Sequence, residues 1–261
     1  MRKILLMLAA ALLFSNCQAK PKEYNIKVVK EYTHDTGAYT QGLYFLDGEM
    51  YESAGQFGES SFRKVDFETG KVLKRQNFAA KYFLEGAVEL GGKTYILTWT
   101  NKVAFVYDAK TLEYKQTYTY PREGWGLTTD GELLYATDGS SKMYVMDTGF
   151  NLKKTLNVTL NGKPLRNLNE LEWIDGKIWA NVYMTDLIVV IDPSSGDVEA
   201  KIDCAGLLPS KLRTSKTDVL NGIAYLPSES SKSSSLGSGG RIFLTGKYWP
   251  RLYEVQLVPA K

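Results

Sequence analysis

Outside its first sixteen residues the chain shows no helical periodicity sustained over ten residues; apolar and polar positions alternate instead in short runs, which predicts strands. A hairpin signal punctuates these runs four times: DGEMY at 47–51, GGKTY at 91–95, DGELLY at 130–135 and DGKIW at 175–179. Asp-Gly and Gly-Gly between β-rich runs favour tight turns, because both residues tolerate positive φ. After each comes an alternating run, a few polar residues, another run and a second turn that opens on aspartate. Those aspartates are Asp66, Asp108, Asp147 and Asp192, spaced 42, 39 and 45 residues apart. A period of about forty residues with four short strands marks propeller blades rather than helical solenoids.

Aligning on the hairpins gives each unit a first strand with one pattern: Gln41-Gly42-Leu43, Glu85-Gly86-Ala87, Trp125-Gly126-Leu127, Asn169-Glu170-Leu171 and Asn221-Gly222-Ile223. The expected fold is therefore all-β, a five-bladed β-propeller with four-stranded blades. The fifth unit has only three obvious strands, near 221–226, 240–247 and 251–258. Its outer strand is expected from YNIKVVKEY at 24–32, which would close the ring by placing the N- and C-terminal strands in one blade. Innermost strands line a propeller's channel, so the first residues of the five triplets converge around its mouth. A second ring follows the second strands: Gly55, Trp99, Gly139, Tyr183 and Lys247. A structural repeat would keep similar residues at equivalent places. These positions instead hold a carboxylate, an amine, three amides and large aromatics, as a site grafted on a repeated scaffold would.

The opening MRKILLMLAAALLFSNC has two cations, a short apolar run and small or polar residues before Cys17, the layout of a secretory signal. Residues 1–16, or 1–19 if cleavage follows Ala19, are read as that signal, 17–23 as a short tether, and 24–261 as the propeller. An exported protein is expected, periplasmic or anchored to a bacterial membrane by a lipid on Cys17. Cys204 then has no partner, so no disulfide framework is expected. Lys and Arg total 32 against 29 for Asp and Glu, a balance that gives nucleic acid no handle.

His34 is the single histidine, beside an Asp35 that reads as surface, so neither a zinc cluster nor a Ser-His-Asp arrangement is supported. Neither GxSxG nor GxxxxGK[ST] occurs. The glycines of LGSGGR at 236–241 follow a serine run and read as a flexible surface loop. No metal and no cofactor are expected.

YTQGLYF, FLEGAVEL, EGWGLTTDG, RNLNELEW, IWANVY, VLNGIAY and FLTGKYWPRLYEV, in this order over about residues 39–255, resemble the plant and bacterial glutamine cyclotransferase family. The resemblance implies a five-bladed propeller in which the α-amine of an N-terminal glutamine attacks its own γ-carboxamide, giving pyroglutamate and ammonia. It places the family's glutamate on Glu85, its asparagine on Asn169, its lysine on Lys247, its glutamine on Gln41 and its pocket tryptophans on Trp99 and Trp125. Three positions depart: Tyr39 stands where phenylalanine is usual, Leu84 where glycine is usual, and Tyr183 where a third tryptophan is common.

On this reading Glu85 is the general acid/base, and Asn169 and Lys247 stabilise the oxyanion. Gln41, Trp99, Trp125, Tyr183 and Asn221 bind substrate, namely peptides or proteins with N-terminal glutamine. A monomer is expected. Glu85 could instead be held in a structural ion pair with Lys247. Two rival functions compete, a propeller lipoprotein that only binds peptide or glycan and a metal-dependent hydrolase. A carboxylate and an amine together at the mouth argue against the first, and the missing ligand cluster argues against the second.

Overall fold

The computed structural model describes residues 20–228, 236–237 and 239–260, and these form an all-β, propeller-like fold. The segment read as a signal, with Cys17, and the serine run at 229–235 lie outside the described residues.

Strand β1 (Lys22–Thr33) begins two residues ahead of the expected start of the propeller. The first antiparallel sheet comprises β2 (Thr40–Leu46), β3 (Glu49–Ala54), β4 (Ser61–Asp66) and β5 (Lys71–Asn77). The second comprises β6 (Leu84–Leu90), β7 (Lys93–Thr98), β8 (Val103–Asp108) and β9 (Tyr114–Thr119). The third comprises β10 (Leu127–Thr129), β11 (Leu134–Thr137), β12 (Lys142–Met146) and β13 (Leu152–Asn157), followed by a small hairpin of β14 (Thr159–Leu160) and β15 (Lys163–Pro164). Then come β16 (Leu168–Ile174), β17 (Lys177–Val182), β18 (Leu187–Ile191) and β19 (Val198–Asp203), and finally β20 (Leu220–Pro227), β21 (Gly240–Gly246) and β22 (Arg251–Pro259). The first strands β2, β6, β10, β16 and β20 are successive neighbours, and β20 also lies beside β2.

The turn chemistry read from the sequence is present at most of its positions. Asp47-Gly48, Gly91-Gly92 and Asp175-Gly176 are two-residue turns in which both residues have positive φ. At 130–133 the link is longer, and Asp130 folds it by accepting the N–H groups of Glu132 and Leu133. The recurring aspartates shape the turns between third and fourth strands. Asp66 accepts the N–H of Glu68, Asp108 that of Lys110, Asp147 that of Gly149 and Asp192 that of Ser194.

β1 pairs antiparallel with β22 from Tyr24 opposite Pro259 to Thr33 opposite Arg251, the place expected for the missing outer strand. It also pairs in parallel with β19, Lys22 to Asn25 against Ala200 to Asp203. That second pairing was not expected, and it merges two four-stranded arrays into one eight-stranded sheet.

The core lies between facing sheets. Tyr44 and Phe62 of the first sheet pack on Leu84 and Ile96 of the second, and Ile188 and Ile202 pack on Ile223 and Leu244. Apolar surface removed from water at such contacts stabilises the fold by roughly 25 cal/mol per Å2. Where the first strands β6, β10 and β16 converge, the second and third sheets require glycine after the ring position: a Cβ on Gly86 would sit 2.4 Å from Leu127 N, and one on Gly126 1.9 Å from Asn169 O.

One expectation is corrected. Gly237 and Gly239 are not a surface loop but are buried, Gly237 against Trp179 and Ile242, Gly239 against Tyr225 and Asp175. His34 belongs to a buried polar cluster: its Nε2 lies 3.1 Å from Glu52 Oε1 and its Nδ1 2.8 Å from Trp249 O. Thr40 donates to Glu52 at 2.6 Å, while Arg63 bonds Glu52 at 2.5 Å and Asp35 at 2.6 Å. Asp35 is thus tied down at the surface end of that cluster.

Candidate active site

The two rings read from the repeat are built by two recurring local devices. In β2, β6, β16 and β20 the ladder to the second strand breaks register between Thr40 and Gly42, Leu84 and Ala87, Leu168 and Leu171, and Leu220 and Ile223. Gln41, Glu85, Asn169 and Asn221 sit inside those irregularities, and a bulge re-aims the side chain it carries. Just past each second strand, Gly55, Trp99, Tyr183 and Lys247 donate their N–H to the carbonyls of Tyr39, Phe83, Asn167 and Val219. The second ring is therefore pinned to the chain two residues ahead of the first.

Glu85 and Lys247 are only 4% and 2% exposed. Among the described residues neither side chain has a hydrogen bond or an ion pair, so the structural ion pair considered for them is not formed. Each still acts on the other. Burial pushes the Glu85 carboxyl well above the usual carboxylate range; Lys247 opposes that shift and Glu123 adds to it. Burial lowers Lys247 to about 8, against the pull of Glu85 and Asp218. The Lys247 ammonium has aromatic faces instead of a counter-ion, with ring centres at 4.5 Å for Tyr39 and 4.9 Å for Tyr183. Two of the three positions that depart from the family pattern thus flank the lysine.

The amides divide in role. Asn221 is fully buried and spends its Nδ2 on Thr40 O at 2.9 Å and Gln41 Oε1 at 3.1 Å. It holds Gln41 in place through Nδ2, while its Oδ1 has no hydrogen-bond partner among the described residues. With its oxygen occupied, Gln41 presents N–H donors. Asn169 is buried with an Oδ1 that has no hydrogen-bond partner.

Trp99 and Trp125 both donate their indole N–H to Glu123 Oε2, at 2.8 Å and 3.3 Å. Trp125 meets Tyr183 edge-on at 5.7 Å, and Trp99 meets Phe83 at 5.5 Å and Phe57 at 6.4 Å. Gly139 makes room for Trp125, since a Cβ there would lie 2.6 Å from the indole.

Several residues at the site were not singled out from the sequence. Glu123 and Phe83 carried only motif positions, and Asp218 no signal. Glu170 stands where other first strands have glycine; it accepts the N–H groups of Leu43 and Ile223, and burial raises its pKa well above normal. Glu172 does the same toward Tyr225. Both bind backbone rather than face the aromatic pocket. Among the described residues no three His, Cys, Asp or Glu side chains gather as a metal site would require.

A family model described as glutamine cyclotransferase matches residues 3–257. A glutaminyl-peptide cyclotransferase of Arabidopsis thaliana is 38% identical over 245 residues, covering 90% of this chain and 72% of that protein. The crystal structure of Myxococcus xanthus glutaminyl cyclase superposes with a TM-score of 0.83 at 32% identity, covering 93% of this chain and 100% of that one.

Proposed function

The chain belongs to the glutamine cyclotransferase family, and from that premise we propose how its buried glutamate and lysine carry out the reaction. The enzyme is a glutaminyl-peptide cyclotransferase: it converts the N-terminal glutamine of a peptide to pyroglutamate and releases ammonia.

Cyclisation forms a bond from the α-amine nitrogen to the γ-carboxamide carbon and breaks the bond from that carbon to its NH2 group. One proton must leave the attacking amine and one must reach the departing nitrogen. Glu85 serves both transfers, taking the first proton as carboxylate and returning it as acid. A raised pKa suits a group that must both accept and donate near neutral pH. The Lys247 ammonium stabilises the oxyanion in a dry pocket, where a donor of this kind is worth about 3–4 kcal/mol. Asn169 offers its carboxamide N–H to the same oxygen and leaves its unpartnered Oδ1 for a substrate N–H. Gln41 holds the substrate's carbonyl. Trp99, Trp125 and Tyr183 enclose the glutamine side chain and hold nucleophile and carbonyl in contact.

The observation that supports this reading is the buried Glu85 and Lys247, unpaired with one another among the described residues yet each acting electrostatically on the other. Purified protein is expected to release ammonia from a Gln-initiated dipeptide in stoichiometric step with pyroglutamate. No ammonia from such a peptide overturns the assignment.

We also read the sheets as a monomeric five-bladed propeller spanning 24–261 and closed by β1, the strand order in which β20 neighbours β2 being its support. The signal-like start is read as export with a lipid on Cys17. Intact mass of the native protein tests that point: a mature chain starting at Lys20 with no added lipid rules the anchor out.

A further inference from the structure

We infer that Glu123 is the positioning residue of the pocket, holding the indoles of Trp99 and Trp125 together through a single carboxylate oxygen. The inference rests on the proposed roles of Glu85 and the two tryptophans. Glu123 lies in the link between β9 and β10, and that link is fastened to the strand end that carries Trp99. Gly124 N donates to Thr98 O at 3.2 Å and to Trp99 O at 3.3 Å, while Tyr120 OH donates to Thr98 O at 2.8 Å. The carboxylate is thus delivered from a fixed backbone to a point between two rings that come from different sheets.

An indole has one N–H and can be oriented about it by one acceptor. Here Oε2 takes both, at 2.8 Å from Trp99 and 3.3 Å from Trp125, so the two walls share one anchor. A charged acceptor makes such bonds about twice as strong as a neutral one. Ring packing then passes the constraint onward, from Trp125 to Tyr183 and from Trp99 to Phe83. The anchor also acts on the acid/base at a distance. The charged and titratable groups facing Glu85 are Lys247, Glu123, Tyr39 and Tyr120, and of these Lys247 favours the ionised carboxylate while Glu123 opposes it.

Two substitutions separate anchoring from charge. Glu123→Ala removes the acceptor of both indole hydrogen bonds and is expected to raise KM at least about tenfold, with a changed tryptophan emission spectrum. Glu123→Gln keeps an oxygen that can accept both N–H groups but loses the charge. Its KM and emission should change less than those of E123A, because a neutral acceptor keeps both bonds at about half the strength, while the acid limb of its kcat profile moves to lower pH. An E123A variant with wild-type KM and emission overturns the inference, as does one that loses only thermal stability. If E123A does not fold, Glu123→Asp takes its place: its shorter side chain withdraws the shared oxygen from both indoles, and wild-type KM and emission in that variant overturn the inference. Wild-type turnover of the same Gln-initiated dipeptide in the same assay separates failure of this inference from failure of the reaction assignment.

Discussion

The Lys247 ammonium lies 4.9 Å from the centre of the Tyr183 ring and, among the described residues, has no carboxylate within ion-pairing distance. Its charge is kept by aromatic faces and by the more distant Glu85 and Asp218, and burial nonetheless lowers it to about 8. A group with a lowered pKa loses its proton as pH rises through that value, so oxyanion stabilisation should fade above about pH 8.

From this, kcat/KM is expected to fall on the alkaline side with a midpoint near 8. Lys247→Arg keeps its charge throughout that range, so whatever activity it retains should lack this limb. Tyr183→Leu removes a desolvated cation–π contact worth about 1–2 kcal/mol and should move the limb down by roughly one pH unit. Comparing all three on one substrate cancels the titration of the substrate's own amine. An arginine variant with an unchanged alkaline limb assigns that limb elsewhere.

Glu85→Gln should abolish turnover while thermal unfolding stays within a few degrees of wild type. The wild-type carboxyl has no hydrogen bond or ion pair to lose, and the amide fills nearly the same volume. Calorimetry alongside ammonia release checks both halves. Near-normal turnover sinks the acid/base assignment.

Stability is expected to depend on a different carboxylate. Glu52 holds His34 and Arg63 in a fully buried cluster, and removing one partner of a buried charged network costs about 3–5 kcal/mol. Glu52→Ala should lower the unfolding midpoint in urea accordingly, and a midpoint equal to wild type would contradict the account. The pH dependence has two signs. Burial opposes the Glu52 charge, but Arg63 and His34 outweigh it and hold the pKa far below normal. Its contribution is therefore present above an unfolded value of about 4.3 and lost as pH falls toward the folded one. Burial likewise opposes the His34 charge, yet Glu52 raises its pKa. That contribution is full below about 6.5 and lost as pH rises through the folded value. Wild type should be most stable between roughly pH 5 and 6.5, and E52A should lose this maximum.

How far the sequence carries can be judged residue by residue. The turn aspartates and the Asp-Gly hairpins were legible because their chemistry is local: each acts on N–H groups two or three residues away. Glu85 and Lys247 were legible because a repeat converts sequence offset into spatial equivalence. What broke the repeat was hidden. Glu123 lies two residues before a ring position, and its partners come from different sheets. Asn221 matched the ring pattern, yet Gln41 and Thr40 claim its donors, a competition that alignment does not show. The partners of His34 were not legible because Glu52 and Arg63 reach it only once β3 and β4 fold alongside. The parallel pairing of β1 with β19 has no turn signal, since nothing short connects them.

That same strand carries a consequence for the order of synthesis. A ribosome completes β1 before every other described strand, whereas β22, which it needs from Tyr24 through Thr33, is the last of them. Until then it is an open edge able to pair with another chain. Its sequence KEYNIKVVKEYT spreads three lysines and two glutamates among its apolar residues, and charges of this kind discourage pairing between unfinished chains. Residues that look merely solvent-facing in the finished ring therefore guard the interval before it closes.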